Sequence, residues 1–177
     1  FYLLSDEKHE FRGLAVSGKK ETFFFCNQGF LTEQYLTSAL EELIETAAQA
    51  VTLQLKTQLR FLHPSESAKK KILDGAISAY LLNPLKGEYP YEDLAKDYMK
   101  ELVPGAAELL GKTKINELDA EDKQISLLAC YQSYVALHSM PMMLERLHEE
   151  EMERLFEEIV IQHFRKFINY FFFVLCF

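Results

Sequence analysis

Short apolar runs, rich in aromatic residues, alternate with polar segments at the start of the chain. The runs are FYLL, RGLAVS and ETFFFC, and the segments SDEKHEF and GKK separate them. This spacing is typical of strands joined by short turns. A later run, AVTLQL at residues 50–55, has the same character. We therefore predict that these four strands share one sheet and that their aromatic side chains fill its core.

The hydrophobic period becomes helical after Thr32. Apolar residues then recur at intervals of three and four, which predicts an amphipathic helix over residues 32–48 that packs on the sheet. From Asp74 onward the patterns are mainly helical, with a long helix that Pro141 breaks or restarts and a closing helix from residue 142. The sequence predicts an α/β domain with its sheet covered by helices and a helical C-terminal part.

The amino-acid composition argues against several classes of function. The three cysteines have no paired spacing, which argues against a disulfide framework or a Cys-type zinc site and favours the cytoplasm. The apolar run YFFFVLCF is much shorter than the roughly 20 residues that span a membrane. A formal net charge of −8 disfavours tight DNA binding. We expect weak, salt-sensitive contacts at most, made by the basic run at residues 69–71.

No familiar catalytic motif stands out. The histidines lack HxH and HExxH spacing, and the chain has neither a GxSxG elbow nor a GxxxxGK[ST] loop. The carboxylate of Asp74, at the start of an apolar helix, has two possible roles. A lone acid there caps the helix, whereas several converging acids would hold a catalytic metal.

Three segments carry a family resemblance: DGAISAYLLNPLKGEYPYEDLAKDYM, ISLLACYQSYVAL and LHEEEMERLFEEI. They resemble the 3′–5′ exonuclease-like domain of bacterial DNA polymerase I, in the form found in clostridia-like bacteria. The resemblance covers about residues 1–159 and implies a ribonuclease-H-like fold, a mixed sheet flanked by helices. Residues 160–177 depart from it, and we interpret them as a divergent apolar tail that continues the last helix and can promote self-association.

Active members of this family remove a mismatched 3′ nucleotide with two divalent metals that four carboxylates hold. The resemblance implies an Asp-x-Glu pair at the end of the first strand, but Asp6 and Glu7 are adjacent and would point to opposite faces. Leu55 stands where an acid is expected after the fourth strand. On the long helix, Leu128 and Gln132 stand in place of the Tyr and Asp of a Tyr-x-x-x-Asp motif.

The resemblance therefore implies a degenerate active site. We interpret Asp74 as a helix-start residue that accepts backbone N–H bonds, and we expect no catalytic residue, metal or other cofactor. The expected role is structural, within a polymerase of DNA replication and repair, with the polymerase region and DNA as partners. Two alternatives are an active exonuclease that uses Mg²⁺ or Mn²⁺ and a stand-alone interaction protein.

Overall fold

The computed structural model describes residues 1–159, so the interpretation of residues 160–177 as a helical tail lies outside the described residues. The strands are β1 (Tyr2–Ser5), β2 (Phe11–Ser17), β3 (Thr22–Cys26), β4 (Ala50–Thr52) and β5 (Ile72–Asp74). The α-helices are α1 (Glu33–Thr46), α2 (Leu55–Gln58), α3 (Glu66–Lys69), α4 (Gly75–Leu82), α5 (Tyr91–Leu94), α6 (Ala106–Leu110) and α7 (Lys123–Glu149). A π-helical turn occupies Ala95–Met99, and a 3₁₀ turn occupies Ile115–Glu117. The chain is thus mixed α/β, as the sequence predicts.

The strands form two sheets rather than the single sheet that we predicted. Strands β1, β2 and β3 make an antiparallel sheet in that order, in which Leu14 lies opposite both Leu3 and Phe25. Strands β4 and β5 form a separate parallel pair. The prediction that β4 shares a sheet with the first three strands is therefore wrong.

The side chain of Gln58 explains this separation. Its Oε1 accepts the backbone N–H of Leu3 at 2.8 Å, and its Nε2 donates to Thr52 Oγ1 at 2.9 Å and to the Leu53 carbonyl. One bond just before β1 links the two sheets: the N-terminal nitrogen of Phe1 donates to the Val51 carbonyl in β4 at 2.7 Å. A buried side-chain amide thus takes the hydrogen bonds that a continuous ladder would use.

Helices cover both faces of the antiparallel sheet. Helix α1 begins at the cap Thr32, whose side chain accepts the Tyr35 N–H, and buries Leu36 and Leu40 against β2, so the predicted helix is confirmed. The first hydrophobic cluster lies on this face and includes Leu3 and Leu14. The second lies on the opposite face and contains Tyr2, Leu4, Ala15 and side chains of α7. This alternation follows from the two-residue period of a strand.

The prediction that Pro141 breaks the long helix is wrong. Helix α7 begins after the cap Asp122 and continues through Pro141. Proline inside a helix costs about 3 kcal/mol. Its neighbours Met140 and Met143 are fully buried in the second cluster, and this packing offsets the lost hydrogen bond.

The predicted closing helix is interrupted instead at Glu151. This residue has φ 57°, its N–H donates to the His148 carbonyl, and the Met152 N–H donates to the Leu147 carbonyl at 2.8 Å. Together these bonds form a Schellman ending, which stops α7 before a further helix at residues 153–159. Within the described part of the chain, no helix combines the length and the hydrophobicity that crossing a bilayer requires.

Candidate functional site

Asp74 lies where β5 passes into α4, and its carboxylate is bound by backbone groups. Oδ1 accepts the N–H of Ala76 at 2.9 Å, which confirms the predicted helix cap. The same oxygen accepts the Gln54 N–H at 3.0 Å, and Oδ2 accepts the Leu55 N–H at 2.8 Å. We call this group, Asp74 with the N–H groups of residues 54, 55 and 76, the Asp74 clamp.

The clamp joins two helix starts. Leu55 is the first residue of α2 and Ala76 lies in the first turn of α4, so one carboxylate serves both helices. Gln54 adopts a left-handed conformation with φ 56°, which side-chain-bearing residues rarely occupy. The bond from its N–H to Asp74 helps to hold this conformation. The clamp therefore fixes the path of the chain between β4 and α2.

Burial dominates the electrostatics of this region. The Asp74 residue is 2% exposed, and burial raises the pKa of its carboxyl, although the N–H bonds from Leu55, Ala76 and Gln54 act in the opposite direction. Burial, and then the charge of Asp74, raises the pKa of the Tyr2 hydroxyl to about 12. A carboxylate that is buried and already accepts three N–H bonds is poorly placed to bind a hydrated cation.

The two other candidate acids organise different loops. Asp6 is buried, and its Oδ1 accepts the N–H groups of Lys8 and Glu10, both at 2.9 Å, in the turn between β1 and β2. Its Oδ2 lies 3.9 Å from Nη1 of Arg12.

Glu7 instead binds the start of the 3₁₀ turn. Its carboxylate accepts the Ile115 N–H at 2.9 Å and the Asn116 N–H at 3.2 Å. Over residues 1–159, no group of three or more His, Cys, Asp or Glu side chains is arranged to hold a metal ion. Asp6, Glu7 and Asp74 thus accept hydrogen bonds from three different parts of the chain.

The three positions at which the resemblance implies lost site residues do not meet in one cluster. Leu55 is fully buried in the first hydrophobic cluster, whereas Leu128 is buried in the second. Gln132 lies on α7 and is half-buried. Their correspondence to metal-site positions stays a prediction.

An apolar groove between β3 and α1 is the feature that sequence reasoning missed. Phe23 and Phe25 are 53% and 39% exposed, so the prediction that aromatic residues of this run fill the core is wrong for both. The groove has a volume of about 420 Å³. Its lining residues, which define the β3–α1 groove, are Leu14, Val16, Phe23, Phe25, Leu31, Tyr35, Leu36, Ala39, Leu40 and Leu43.

The geometry of an edge strand explains the groove. Phe25 lies opposite Leu14 and Phe23 opposite Val16, so all four side chains share the α1 face of the sheet. Helix α1 packs on β2 and leaves the outer strand β3 partly uncovered. Phe24 points to the other face, where it packs against the second cluster and covers Gly13. Three consecutive phenylalanines have no alternation of their own, so the sequence offered no signal to separate them.

Comparisons with family models, with curated proteins and with solved structures found no match to this chain. The site must therefore be interpreted from its own geometry. The Asp74 clamp keeps its carboxylate buried among backbone N–H groups, whereas the β3–α1 groove leaves apolar side chains exposed.

Proposed function

We propose that this chain is a catalytically silent 3′–5′ exonuclease-like domain with a ribonuclease-H-like fold, serving as a structural module of a DNA polymerase I. The observation that carries the proposal is the Asp74 clamp, in which three backbone N–H groups occupy both carboxylate oxygens. Two-metal hydrolysis needs carboxylate oxygens that face divalent cations. Here the carboxylate stabilises the fold instead.

The order of the elements supports the fold part of this proposal. Three antiparallel strands, a helix and then two parallel strands follow one another, with helices on both faces. This order is compatible with the mixed sheet that the resemblance implies. Leu55 and Leu128, at positions where the resemblance implies acid and tyrosine, are apolar and buried. The proposed partners are the polymerase region and DNA, and the proposed function requires neither Mg²⁺ nor Mn²⁺.

A nuclease assay tests the catalytic part. The purified chain is incubated with a 3′-labelled single strand in excess Mn²⁺, with and without a chelator, and we expect no 3′–5′ ladder. The matched variants are Asp74→Asn in the clamp and Asp97→Asn at an exposed ion pair with Lys86. A chelator-sensitive ladder that Asp97→Asn retains, and that Asp74→Asn abolishes without a change in the circular dichroism spectrum, would restore the active exonuclease as the better hypothesis.

DNA affinity tests the expected weakness of the DNA contact. Lys69 pairs with Glu66, and Lys71 Nζ donates to the Glu45 carbonyl, so parts of the basic run already interact within the protein. We expect fluorescence anisotropy with a labelled single strand to give a Kd above about 1 μM at physiological salt, weakening further as salt rises. Submicromolar, salt-insensitive binding would contradict this expectation.

A further inference from the structure

The β3–α1 groove is an apolar surface that the described residues leave open. Five of its lining residues, Phe23, Phe25, Tyr35, Ala39 and Leu43, are exposed. Clustered aromatic and aliphatic side chains beside an edge strand mark an interaction surface or a liability for aggregation. An occupant of matching chemistry would bury this apolar surface.

We propose that residues 160–177 of this same chain cover the β3–α1 groove. This inference goes beyond the proposed function and does not rest on it. Three observations favour this segment over a second copy or an unrelated partner. They are where the described chain ends, the pattern of the segment and the charge on each side.

The described residues end against the hydrophobic cluster that also borders the groove. Phe156 is buried in the first hydrophobic cluster, and Ile159 packs against it. Leu14, Leu36 and Leu40 belong to that cluster and also line the groove. From Tyr35 to Leu43, α1 rises only about 12 Å. The eighteen residues from 160 to 177 can reach up to about 60 Å when extended and about 27 Å as a helix, so their length suffices.

The pattern of the segment matches the groove. Ile161, Phe164, Ile168 and Phe171 recur at helical spacing, which would present an apolar stripe to an apolar groove. The many phenylalanines of the segment could also form aromatic pairs with the exposed ring of Phe23. A tethered segment binds at an effective concentration in the millimolar range, which favours it over a free partner.

Charge is also complementary. Residues 160–177 contain Arg165 and Lys166 and no Asp or Glu. Helix α1, which forms one wall of the groove, contains no Lys or Arg and has four glutamates: Glu33, Glu41, Glu42 and Glu45. Glu41 and Glu45 accept hydrogen bonds from residues 63, 65 and 67, so the charge of this wall that is available to a partner comes mainly from Glu33 and Glu42. A second copy would bring a net charge of −8 against the same charge, which disfavours association of two chains.

Site-specific photo-crosslinking of the full chain tests the proposal. Benzoylphenylalanine replaces Tyr35, which lines the groove, or in a matched control Tyr80, which is similarly exposed and lies outside the lining. Mixing ¹⁴N-labelled and ¹⁵N-labelled chains separates crosslinks within a chain from those between chains. We expect Tyr35-position crosslinks to residues 160–177 within one chain, at a yield at least tenfold above the Tyr80 position.

A variant of the segment completes the test. Phe164→Asp combined with Ile168→Asp should reduce the Tyr35-position yield at least tenfold, while the circular dichroism spectrum stays unchanged. Mixed-isotope crosslinks would show that the groove takes a second copy and would overturn the proposal. Equal yields from both positions, or no adduct with residues 160–177, would also overturn it. None of these outcomes depends on nuclease activity, so this proposal can fail independently of the proposed function.

Discussion

The Asp74 clamp and the β3–α1 groove differ in how fully their side chains are buried and bonded. Asp74 is 2% exposed, and both of its oxygens accept backbone N–H groups. Phe23 in the groove is 53% exposed, and its neighbours leave a cavity of about 420 Å³. The charged group is closed to solvent, while the apolar surface is open.

Residue type alone therefore does not locate an interaction site. A buried carboxylate that already accepts three backbone N–H bonds has little capacity to bind a ligand, and its contribution is to the stability of the fold. An apolar side chain whose contact surface is unfilled retains a driving force for association. Mutations should therefore cost folding free energy at the clamp and change binding at the groove.

The largest expected effect comes from Asp74→Ala. The change leaves the buried Leu55 N–H and the helix start at Ala76 without their acceptor, so the free energy of unfolding should fall by about 3–5 kcal/mol. Urea denaturation measures this loss. The control Asp97→Ala removes an exposed ion pair with Lys86 and should cost less than about 1 kcal/mol. Equal losses would mean that the clamp has no special structural role.

Substitutions of Phe23 and Phe24 compare how much each face of β3 contributes to the free energy of unfolding. Phe24→Ser should lower the free energy of unfolding by about 2–3 kcal/mol, because the Phe24 ring packs against the second cluster. Phe23→Ser, one residue away on the groove face, should cost less than about 1 kcal/mol when it is compared in the Phe164→Asp/Ile168→Asp background, in which the proposed cover of the groove is disrupted. Urea midpoints of the two variants give the comparison. A reversed order would indicate that the groove face is the better buried one.

Ionisation of the buried Tyr2 should make the free energy of unfolding depend on pH. Burial and the charge of Asp74 raise the pKa of the Tyr2 hydroxyl to about 12, above the ordinary value of about 10. The folded state therefore retains the proton longer, and the free energy that Tyr2 contributes is lost as pH rises from 10 towards 12.

The matched variant is Tyr2→Phe, which cannot ionise. Between pH 9 and 11.5 it should lose about 2 kcal/mol less stability than the unmodified chain. Parallel curves for Tyr2→Phe and the unmodified chain in urea titrations would indicate that Tyr2 ionises equally in both states.

The smallest expected effect is a gain at Gln54. Glycine tolerates the left-handed conformation at φ 56°, so Gln54→Gly should raise the free energy of unfolding by about 0.5–1 kcal/mol while keeping the N–H bond to Asp74. Lys56→Gly, in α2 two residues later, should instead cost about 1 kcal/mol. Thermal unfolding distinguishes the two. A loss at Gln54 would show that its side chain matters more than its backbone conformation.

Local patterns predicted the elements better than their assembly. Thr32 begins α1 and Asp74 caps α4 as the sequence predicts, because capping depends on residues only a few positions apart. The long-range partners were not predictable. Nothing near Asp74 in sequence indicates the bonds to residues 54 and 55, and nothing near Leu3 indicates Gln58. The prediction that Pro141 breaks the long helix was wrong for the same reason. Packing against residues distant in the sequence stabilises the helix that proline would otherwise break.

The α/β class, the positions of the early strands and the role of Asp74 as a helix-start residue could all be predicted from the sequence. These features depend on the period of apolar residues and on local hydrogen bonds, which are written along the chain. Tertiary structure alone decided that Gln58 separates the sheets and that Phe24 is packed while Phe23 is open. Burial of a side chain depends on which elements pack over it in the folded chain. Helix α1 packs on β2 rather than on the edge strand β3, so Phe23 stays exposed.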